Sequence, residues 1–302
     1  MRVFVTGATG FIGSAIVKEL IKAGHNVLGL ARNDKAANSL IAAGAEVQRG
    51  DLEDVESLQT GASVCDGIIH TGFIHDFSRF KEVCETDRRA IEAMGSALIG
   101  SDRPLIISSG TALTASGQFA TEDTRAVSSS HPRIASEEAA DAIAAKKVRV
   151  AVVRLPPSVH GEGDHGFVPI LVNLARQKAI SAYTGAGLNR WPAVHRLDAA
   201  RLFRFALENR FTAGSRFHAV AEQGVPFKQI AEVIGKRLHI PVISKTVEES
   251  AEHFDWFAHF VSLDNPSSSD KTQNLLGWKP LEKNLIADID NDYYFPVSNA
   301  MH

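Results

Sequence analysis

Cysteine is scarce in this sequence, which has only Cys65 and Cys84 among its 302 residues. So few thiols cannot build a disulfide framework, and they provide none of the ligand spacings of a zinc finger. Stability must therefore come from a hydrophobic core, and 44% of the residues are hydrophobic. We expect a protein of a reducing compartment and predict that it is cytoplasmic.

An excess of charge of one sign is also absent. The 32 Lys and Arg residues nearly balance the 35 Asp and Glu residues, and the basic residues are scattered along the chain. This pattern argues against nucleic acid and against an anionic membrane surface as partners. No apolar run approaches the roughly 18 to 20 residues that cross a bilayer, so we predict a small-molecule substrate and no membrane. A homodimer is the one assembly that the sequence leaves open.

Short β-branched runs alternate with helical segments in the first half of the chain. This alternation predicts βαβ units and an α/β fold with a doubly wound parallel (Rossmann) sheet. Helices are predicted from Ile12 to Ala23, ending at Gly24, and from about Pro132 to Ala145. The predicted strands are Val3–Val5, Asn26–Leu30, Glu46–Gln48, Gly67–His70, Leu105–Ser108 and Val148–Arg154.

The sequence pattern changes after Leu155, where two prolines and a glycine-rich stretch follow. We predict a dinucleotide-binding domain over residues 1–155, to which residues 195–215 contribute, and a smaller substrate-binding region over residues 156–302. Amphipathic segments at Phe227–Leu238 and Glu248–Val261 belong to this second region, which we interpret as a lid or substrate wall.

A glycine-rich turn lies between the first predicted strand and the first predicted helix. In a strand–turn–helix context, such glycines permit a tight turn, approach of a phosphate to the backbone, and close packing of helix on strand. We therefore predict that a dinucleotide's pyrophosphate binds here. The residues involved are Gly7, Thr9, Gly10, Phe11, Ile12 and Gly13.

The end of the second strand bears on the choice of cofactor. An acidic residue there would hydrogen-bond the ribose 2′-hydroxyl of NAD, whereas an Arg would pair with the 2′-phosphate of NADP. Arg32 is present and no carboxylate precedes Asp34. We favour NADP(H); NAD(H) stays open, with Asp34 as the ribose ligand and Arg32 as a solvated charge.

Several further segments resemble the extended short-chain dehydrogenase/reductase, or NAD-dependent epimerase/dehydratase, family. The resemblance implies a cofactor-binding fold, and it adds Asp51, Leu52, His70, Thr71, Gly72, Leu155 and Pro156 to the cofactor-binding residues. The segments that carry it are Gly50-Asp51-Leu52, Asp66 to Gly72, Ile107 to Thr111, Arg154 to Gly161, Val194 to Ala200 and Leu276 to Pro280.

The chain departs from this family at the residues that would carry the chemistry. The family pattern has a Tyr-x-x-x-Lys pair, and no tyrosine in this sequence is followed four residues later by lysine. At the matching place, aligned through Pro132 and Ser136, Arg133 stands for Tyr and Glu137 for Lys. Two alternatives are open: an ion pair between the two on one helical face, or a rewired site facing the nicotinamide.

Chemistry limits the roles in a rewired site. The guanidinium of Arg133 keeps its proton near neutral pH and can only polarise a substrate, while Glu137 could accept hydrogen bonds from the nicotinamide ribose. A proton would come from water, from Ser109 or Thr111 acting as a relay, or from a histidine, with His131 and His75 nearest in the motifs.

Two other groups of residues are weaker candidates. His160, Glu162, Asp164 and His165 crowd one loop, but their spacing does not indicate a metal site, and we predict none. Arg190 could hold an anion beside a substrate, whereas Trp191 is better explained by core packing.

We predict an atypical short-chain-type NADP(H)-dependent oxidoreductase that acts by hydride transfer on a small carbonyl or related substrate. The alternative is a non-catalytic NADP(H)-binding or redox-sensing regulatory protein, which the missing Tyr and Lys favour. An epimerase or dehydratase of a nucleotide sugar ranks third, because such chemistry needs the missing proton-transfer pair.

Overall fold

A seven-stranded parallel sheet forms the centre of the structure, a computed structural model that describes residues 1–115, 117–126 and 131–296. Its strands are β1 (Arg2–Thr6), β2 (Asn26–Ala31), β3 (Glu46–Arg49), β4 (Gly67–His70), β5 (Leu105–Gly110), β6 (Val150–Leu155) and β10 (Ser215–His218). Their order is β10-β6-β5-β4-β1-β2-β3, so the winding reverses between β1 and β4. Ligands of such sheets bind outside the carboxyl ends of the strands at this reversal.

Helices cover both faces of the sheet and create two cores. Along β1, Val3 and Val5 point into one core and Phe4 points into the other, as the two-residue period of a strand requires. The first face is covered by α1 (Phe11–Lys22), α2 (Asp34–Ala42) and α7 (Arg196–Glu208). The second face is covered by α3 (Val55–Ser63), α4 (Phe80–Ser96) and α5 (Ala135–Ala145). The predicted doubly wound α/β fold is confirmed.

The later part of the chain adds two smaller sheets and a third core. The strands are β7 (Ser158–His160), β9 (Arg190–His195) and β11 (Glu222–Pro226) in one sheet, and β8 (Ser181–Thr184) and β12 (Val242–Lys245) in the other. The helices are α6 (Phe167–Lys178), α8 (Phe227–Leu238), α9 (Val247–Phe254), α10 (Ala258–Val261), α11 (Asp270–Leu276) and α12 (Leu285–Ile289). Trp191 is fully buried in this third core, 5.0 Å from the ring of Phe227, as core packing predicts.

Two elements of the later half belong structurally to the first. β10 extends the large sheet beside β6, and α7 packs along α1. Residues 297–302 of the predicted second region lie outside the described residues. None of the helices described is long and apolar enough to cross a bilayer.

The observed boundaries follow local chemistry. Asn33 caps α2 by accepting from the backbone N–H of Ala36 at 2.9 Å, and Asp54 caps α3 in the same way. The amphipathic segment Glu248–Val261 forms two helices and not one, because Asp255 adopts a left-handed φ of 51° and a short 3-10 turn separates α9 from α10.

Candidate active site

The glycine turn after β1 is shaped by two very close backbone contacts. Gly7 has a φ of +65°, and a Cβ on it would lie 2.6 Å from the backbone nitrogen of Gly72. A Cβ on Gly13 would lie 2.0 Å from the carbonyl oxygen of Gly7. No side chain caps α1 at Gly10, and its first turn holds no acidic residue. The first backbone N–H groups of α1 can therefore receive an anion, so the turn fits a dinucleotide's pyrophosphate.

The other predicted contacts of this turn surround it. Thr9 and Gly10 are exposed, and Phe11 and Ile12 are partly buried where α1 begins. The side chain of Leu52 reaches Gly72. The carboxylate of Asp51 has protein partners of its own. It accepts hydrogen bonds from the backbone N–H groups of Glu53 and Asp54 and so stabilises the turn in which it lies. Leu155 and Pro156 lie at the end of β6, where Leu155 pairs in register with Gly110 of β5.

At the end of β2, the two candidate ligands for the cofactor's ribose, Arg32 and Asp34, differ in their ion pairing. Arg32 is exposed, and no ion pair of it is found in the described chain. Asp34 is 2.5 Å from the guanidinium of Arg49, the last residue of β3, which pairs in register with Ala31 of β2. The carboxylate that would mark NAD preference is thus already paired with a cation.

A buried chain of hydrogen bonds links the glycine turn to the far side of β4. The backbone N–H of Gly72 donates to the hydroxyl of Thr6 at 3.2 Å, and that hydroxyl lies 2.7 Å from Nδ1 of His70. Nε2 of His70 lies 2.9 Å from a carboxylate oxygen of Asp87 in α4. Every group is satisfied when Thr6 donates to Nδ1 and a neutral His70 donates from Nε2 to Asp87. Thr71 adds a bond from its hydroxyl to the carbonyl of Thr6.

Asp87 is the centre of this arrangement because it also receives Arg133. One guanidinium nitrogen of Arg133 is 2.6 Å from Asp87, and Ser136 donates to the same carboxylate oxygen. Burial alone would raise the pKa of Asp87, but the charge of Arg133 and the bonds from His70 and Ser136 outweigh burial and hold the pKa well below its ordinary value. Asp87 is therefore a carboxylate at all physiological pH values.

The guanidinium of Arg133 is fixed but not enclosed. It lies 4.1 Å from the centre of the Phe73 ring, and its second terminal nitrogen donates to the carbonyl of Ser108 at 3.3 Å. Its side chain keeps 16% exposure, against 1% for Asp87. A cation held in this way at the carboxyl ends of β4 and β5 can meet a ligand on its open side.

Glu137 has a separate set of partners. Arg154 of β6 binds both of its oxygens at 2.8 Å, and Ser109 donates to one of them at 2.9 Å. The net effect on the pKa of Glu137 is a decrease, since Arg154, Arg216 and Ser109 together outweigh the raising effect of burial. The ion pair that i,i+4 spacing suggested between Arg133 and Glu137 is wrong, because each side chain has another partner. A role for Glu137 on the cofactor's ribose stays a prediction, and its carboxylate has only 4% of its side-chain surface exposed.

The candidate proton donors differ in how far they are buried and in whether other groups already bind them. Thr111 is fully buried, with its hydroxyl 2.8 Å from the side-chain amide of Asn265, and Ser109 is occupied by Glu137. His131 is partly exposed, and its Nδ1 accepts from the backbone N–H of Arg133 at 3.3 Å. Burial, with the nearby charges of His259 and Arg133, lowers the pKa of His131. The ring is thus mostly neutral at pH 7 and carries its proton on Nε2.

The loop after β7 brings the later region onto the glycine turn. His165 packs edge-on against the ring of Phe11 at 5.7 Å, while His160 is buried and bound to Asp288 at 2.8 Å. Burial raises the pKa of Asp164 to about 6, even though Gly166 and Tyr294 donate to it. The predicted anion role of Arg190 is not supported, because its guanidinium is bound through two nitrogens by Asp264.

Asp87 and Thr6 are the site residues that sequence analysis missed. A usable signal existed for Asp87: in α4 it occupies the buried stripe formed with Val83, Ala90 and Met94, at helical spacings of four, three and four. A carboxylate on a core stripe requires a cationic or hydrogen-bonding partner. The pattern could therefore have indicated a buried partner, although not which one.

Similarity to other proteins extends over the whole chain. A model of the NAD dependent epimerase/dehydratase family matches residues 3–219. An uncharacterized protein of Schizosaccharomyces pombe is 53% identical over 98% of this chain and 100% of its own. An uncharacterized protein of Saccharomyces cerevisiae is 47% identical over 97% of this chain and 99% of its own. A 2-alkyl-3-oxoalkanoate reductase of Stenotrophomonas maltophilia is 25% identical over 82% of this chain and 78% of the relative.

Solved structures share the fold at lower identity. MoeE5 in complex with UDP-glucose and NAD superposes with a TM-score of 0.76, 19% identity and 97% of both chains covered. A dTDP-glucose 4,6-dehydratase double mutant from Streptomyces venezuelae with NAD bound gives a TM-score of 0.75 at 19% identity, covering 96% of this chain and 95% of that one. At such identities the likeness establishes the architecture alone.

The contacts of Glu137 generate a stability prediction. Glu137→Gln removes the charge that neutralises the fully buried Arg154, and breaking a buried pair in this way costs about 3–5 kcal/mol of unfolding free energy. Glu138→Gln is the matched control, since Glu138 pairs with Arg88 at the surface and should contribute about 1 kcal/mol or less. Urea unfolding of the three proteins at pH 7 measures both values.

The stability difference between wild type and Glu137→Gln should also depend on pH. The folded-state pKa of Glu137 lies below its ordinary value of 4.5, so its contribution is complete above that pH and is lost as the pH falls through the folded value. The stability gap between wild type and Glu137→Gln should therefore narrow below pH 4.5. An equal loss for the two variants, or a gap that is constant with pH, would contradict a structural role for this ion pair.

Proposed function

The chain belongs to the NAD-dependent epimerase/dehydratase family, and from this premise we propose an atypical NADP(H)-dependent oxidoreductase that acts by hydride transfer on a small carbonyl or related substrate. The observation that carries the proposal is the half-enclosed guanidinium of Arg133, which Asp87 holds beside the cofactor turn. The reductase name of the Stenotrophomonas maltophilia relative supports the reaction class.

The turn Gly7–Gly13 would hold the pyrophosphate, with the end of β4 at Gly72 alongside. A bound nicotinamide dinucleotide supplies or accepts the hydride, and the protein contributes orientation and electrostatics. The hydrogen bonds from Thr6 through His70 to Asp87 connect this turn to Arg133. The position of the Arg133 guanidinium relative to the turn is therefore fixed.

Arg133 acts on the substrate oxygen in this proposal. A guanidinium cannot release its proton near neutral pH, but it can donate hydrogen bonds to a carbonyl oxygen and stabilise the negative charge that develops there. Asp87 is a positioning residue, because it fixes the guanidinium without facing the solvent itself. This differs from the family's phenol, which exchanges a proton directly.

We assign the role of proton donor to His131. Ser109 is held by Glu137 and Thr111 is fully buried, whereas His131 is partly exposed beside Arg133. Its lowered pKa means that the donating, charged form becomes abundant only as the pH falls below about 6.5.

NADP(H) is favoured over NAD(H) by the end of β2. Arg32 is exposed there, and Arg49 neutralises Asp34, which leaves a net positive edge for a 2′-phosphate. The alternative ligand, Asp34, would have to leave Arg49 to reach a ribose hydroxyl.

A second candidate function is a non-catalytic NADP(H)-binding or redox-sensing protein. The specific observation in its favour is that Glu137, at the position of the family's lysine, has both oxygens occupied by protein donors. Cofactor binding without turnover distinguishes this candidate from the oxidoreductase.

The role of Arg133 is tested by Arg133→Gln, followed by NADPH oxidation with a panel of aldehydes and ketones. We expect kcat/KM to fall by about 10²–10³-fold, the typical effect of removing one donor to a developing oxyanion, while the Kd for NADPH stays within about twofold. Because the substitution leaves Asp87 without its cation, the double variant Arg133→Gln/Asp87→Asn is measured in parallel.

Arg88→Gln is the control for that experiment, since Arg88 lies in α4 directly after Asp87 but pairs with the surface carboxylates of Glu85 and Glu138. Unchanged turnover in Arg133→Gln would remove Arg133 from the mechanism. Wild-type protein that binds NADPH tightly and oxidises it with no member of the panel would favour the sensor, and failure to bind either nucleotide would overturn both functions.

The cofactor preference is tested by Arg32→Ala. Loss of a charged hydrogen-bond donor to the 2′-phosphate should raise the Kd for NADPH about tenfold or more and leave the Kd for NADH unchanged. Asp34→Asn is the paired variant, which should leave both constants nearly unchanged. Weaker NADH binding in Asp34→Asn, with NADPH unaffected by Arg32→Ala, would instead assign NAD(H).

The proton assignment is tested by the pH dependence of carbonyl reduction. In the wild type, kcat should rise as the pH falls from 8 toward 6, because the charged form of His131 increases in that direction. His131→Gln should be slower and nearly independent of pH in this range. A pH profile that is the same in His131→Gln and the wild type would exclude His131 as the donor.

A further inference from the structure

The side chain of Arg196 lies at the place where α1 and α7 begin next to each other. Arg196 is the first residue of α7, and its guanidinium carbon is 4.8 Å from the centre of the Phe11 ring, the first residue of α1. One terminal nitrogen is 3.4 Å from the hydroxyl of Ser14, and the other donates to the carbonyl of Glu162 at 2.6 Å. The guanidinium thus lies over the first turn of the helix that follows the glycine turn.

This cation has no carboxylate partner in the described parts of the chain. Its charge is felt by Glu162 and Asp164, but neither forms an ion pair with it, and Nε of Arg196 is buried without a hydrogen-bond partner. Burial lowers the pKa of Arg196 more than the two acidic groups raise it. By contrast, the neighbouring Arg201 and Arg204 of the same helix are each paired with carboxylates.

The location makes the missing counter-ion more significant. The amino-terminal end of a helix carries partial positive charge, and two such ends meet the guanidinium here. The first turn of α1 holds no acidic residue, and Asp198 in the first turn of α7 pairs with Arg201 instead. A half-buried cation in this position is electrostatically unfavourable until an anion joins it.

We propose that Arg196 is a ligand of the cofactor's pyrophosphate, added to the backbone N–H groups of the glycine turn. The inference rests on the proposed cofactor binding and deepens it. The pyrophosphate supplies the absent negative charge, and the forked guanidinium suits phosphate oxygens better than an ammonium would.

The loop at residues 161–166 takes part in the same arrangement. A Cβ on Gly161 would lie 2.9 Å from Cγ of Arg196, so the loop can pass over this side chain only as glycine there. The bond from Arg196 to Glu162 and the contact of His165 with Phe11 then hold the loop against α1. Arg196 therefore joins the loop, the helix end and the bound phosphates.

The test compares three probes: NADPH, ADP-ribose, which has the pyrophosphate but no nicotinamide, and adenosine 2′-monophosphate, which lacks the pyrophosphate. In Arg196→Gln, the Kd values for NADPH and ADP-ribose should rise about tenfold or more, whereas the Kd for adenosine 2′-monophosphate stays unchanged. Arg196→Lys should fall between the wild type and Arg196→Gln. Isothermal titration of the full-length protein measures all of these constants.

Arg204→Gln is the matched control, because Arg204 lies in the same helix and also contacts α1, through Glu19. It should leave the Kd of every probe unchanged. Thermal unfolding without ligand verifies that each variant is folded at the temperature of the titration, since Arg196→Gln also removes the bond to Glu162 and the contact with Phe11.

Unchanged ADP-ribose binding in Arg196→Gln would overturn this inference alone, as would an equal loss for adenosine 2′-monophosphate. Wild-type protein that binds neither NADPH nor NADH would overturn the proposed function instead.

Discussion

The buried carboxylate of Asp87 is the constraint on which the site depends. An ionised group with 1% exposure is stable in a protein only when donors and cations surround it. Its donors come from two separate parts of the chain: His70 at the end of β4, and the start of α5, where Arg133 lies just before the helix and Ser136 within it. Satisfying this one carboxylate fixes how α4, α5 and the cofactor edge of the sheet lie relative to one another.

Arg133 and Glu137 carry opposite charges four residues apart, yet they do not pair with each other. A guanidinium at position 133 needs a carboxylate nearby, and Asp87 supplies it. A carboxylate at position 137 needs a cation, and Arg154 supplies it from β6. Each charge is neutralised by its own partner on a different element, so neither position depends on the other for its counter-ion.

Much of the fold was predictable because local sequence patterns specify its strands and turns. The β-branched run Gly67–His70 forms β4 with those same bounds, and Gly7 to Gly13 form the turn that their strand–turn–helix setting indicates. The site was less predictable, since Arg133 and Asp87 are 46 residues apart. The expected i,i+4 pair failed for a physical reason: Arg133 lies in a 3-10 turn that precedes α5, while Glu137 points into the protein toward β6.

The two ion pairs, Arg154–Glu137 and Arg133–Asp87, differ in how far their side chains are exposed to solvent. Arg154 and Glu137 keep 0% and 4% of their side-chain surface, so a ligand cannot reach either charge without opening the core. The side chain of Arg133 keeps 16% of its surface exposed. A charge that is fully enclosed can only stabilise the fold, whereas one that is fixed on one side and open on the other can also act on a substrate. Under the proposed function, the chemistry therefore depends on position 133, whereas the enclosed ion pair at position 137 contributes to stability.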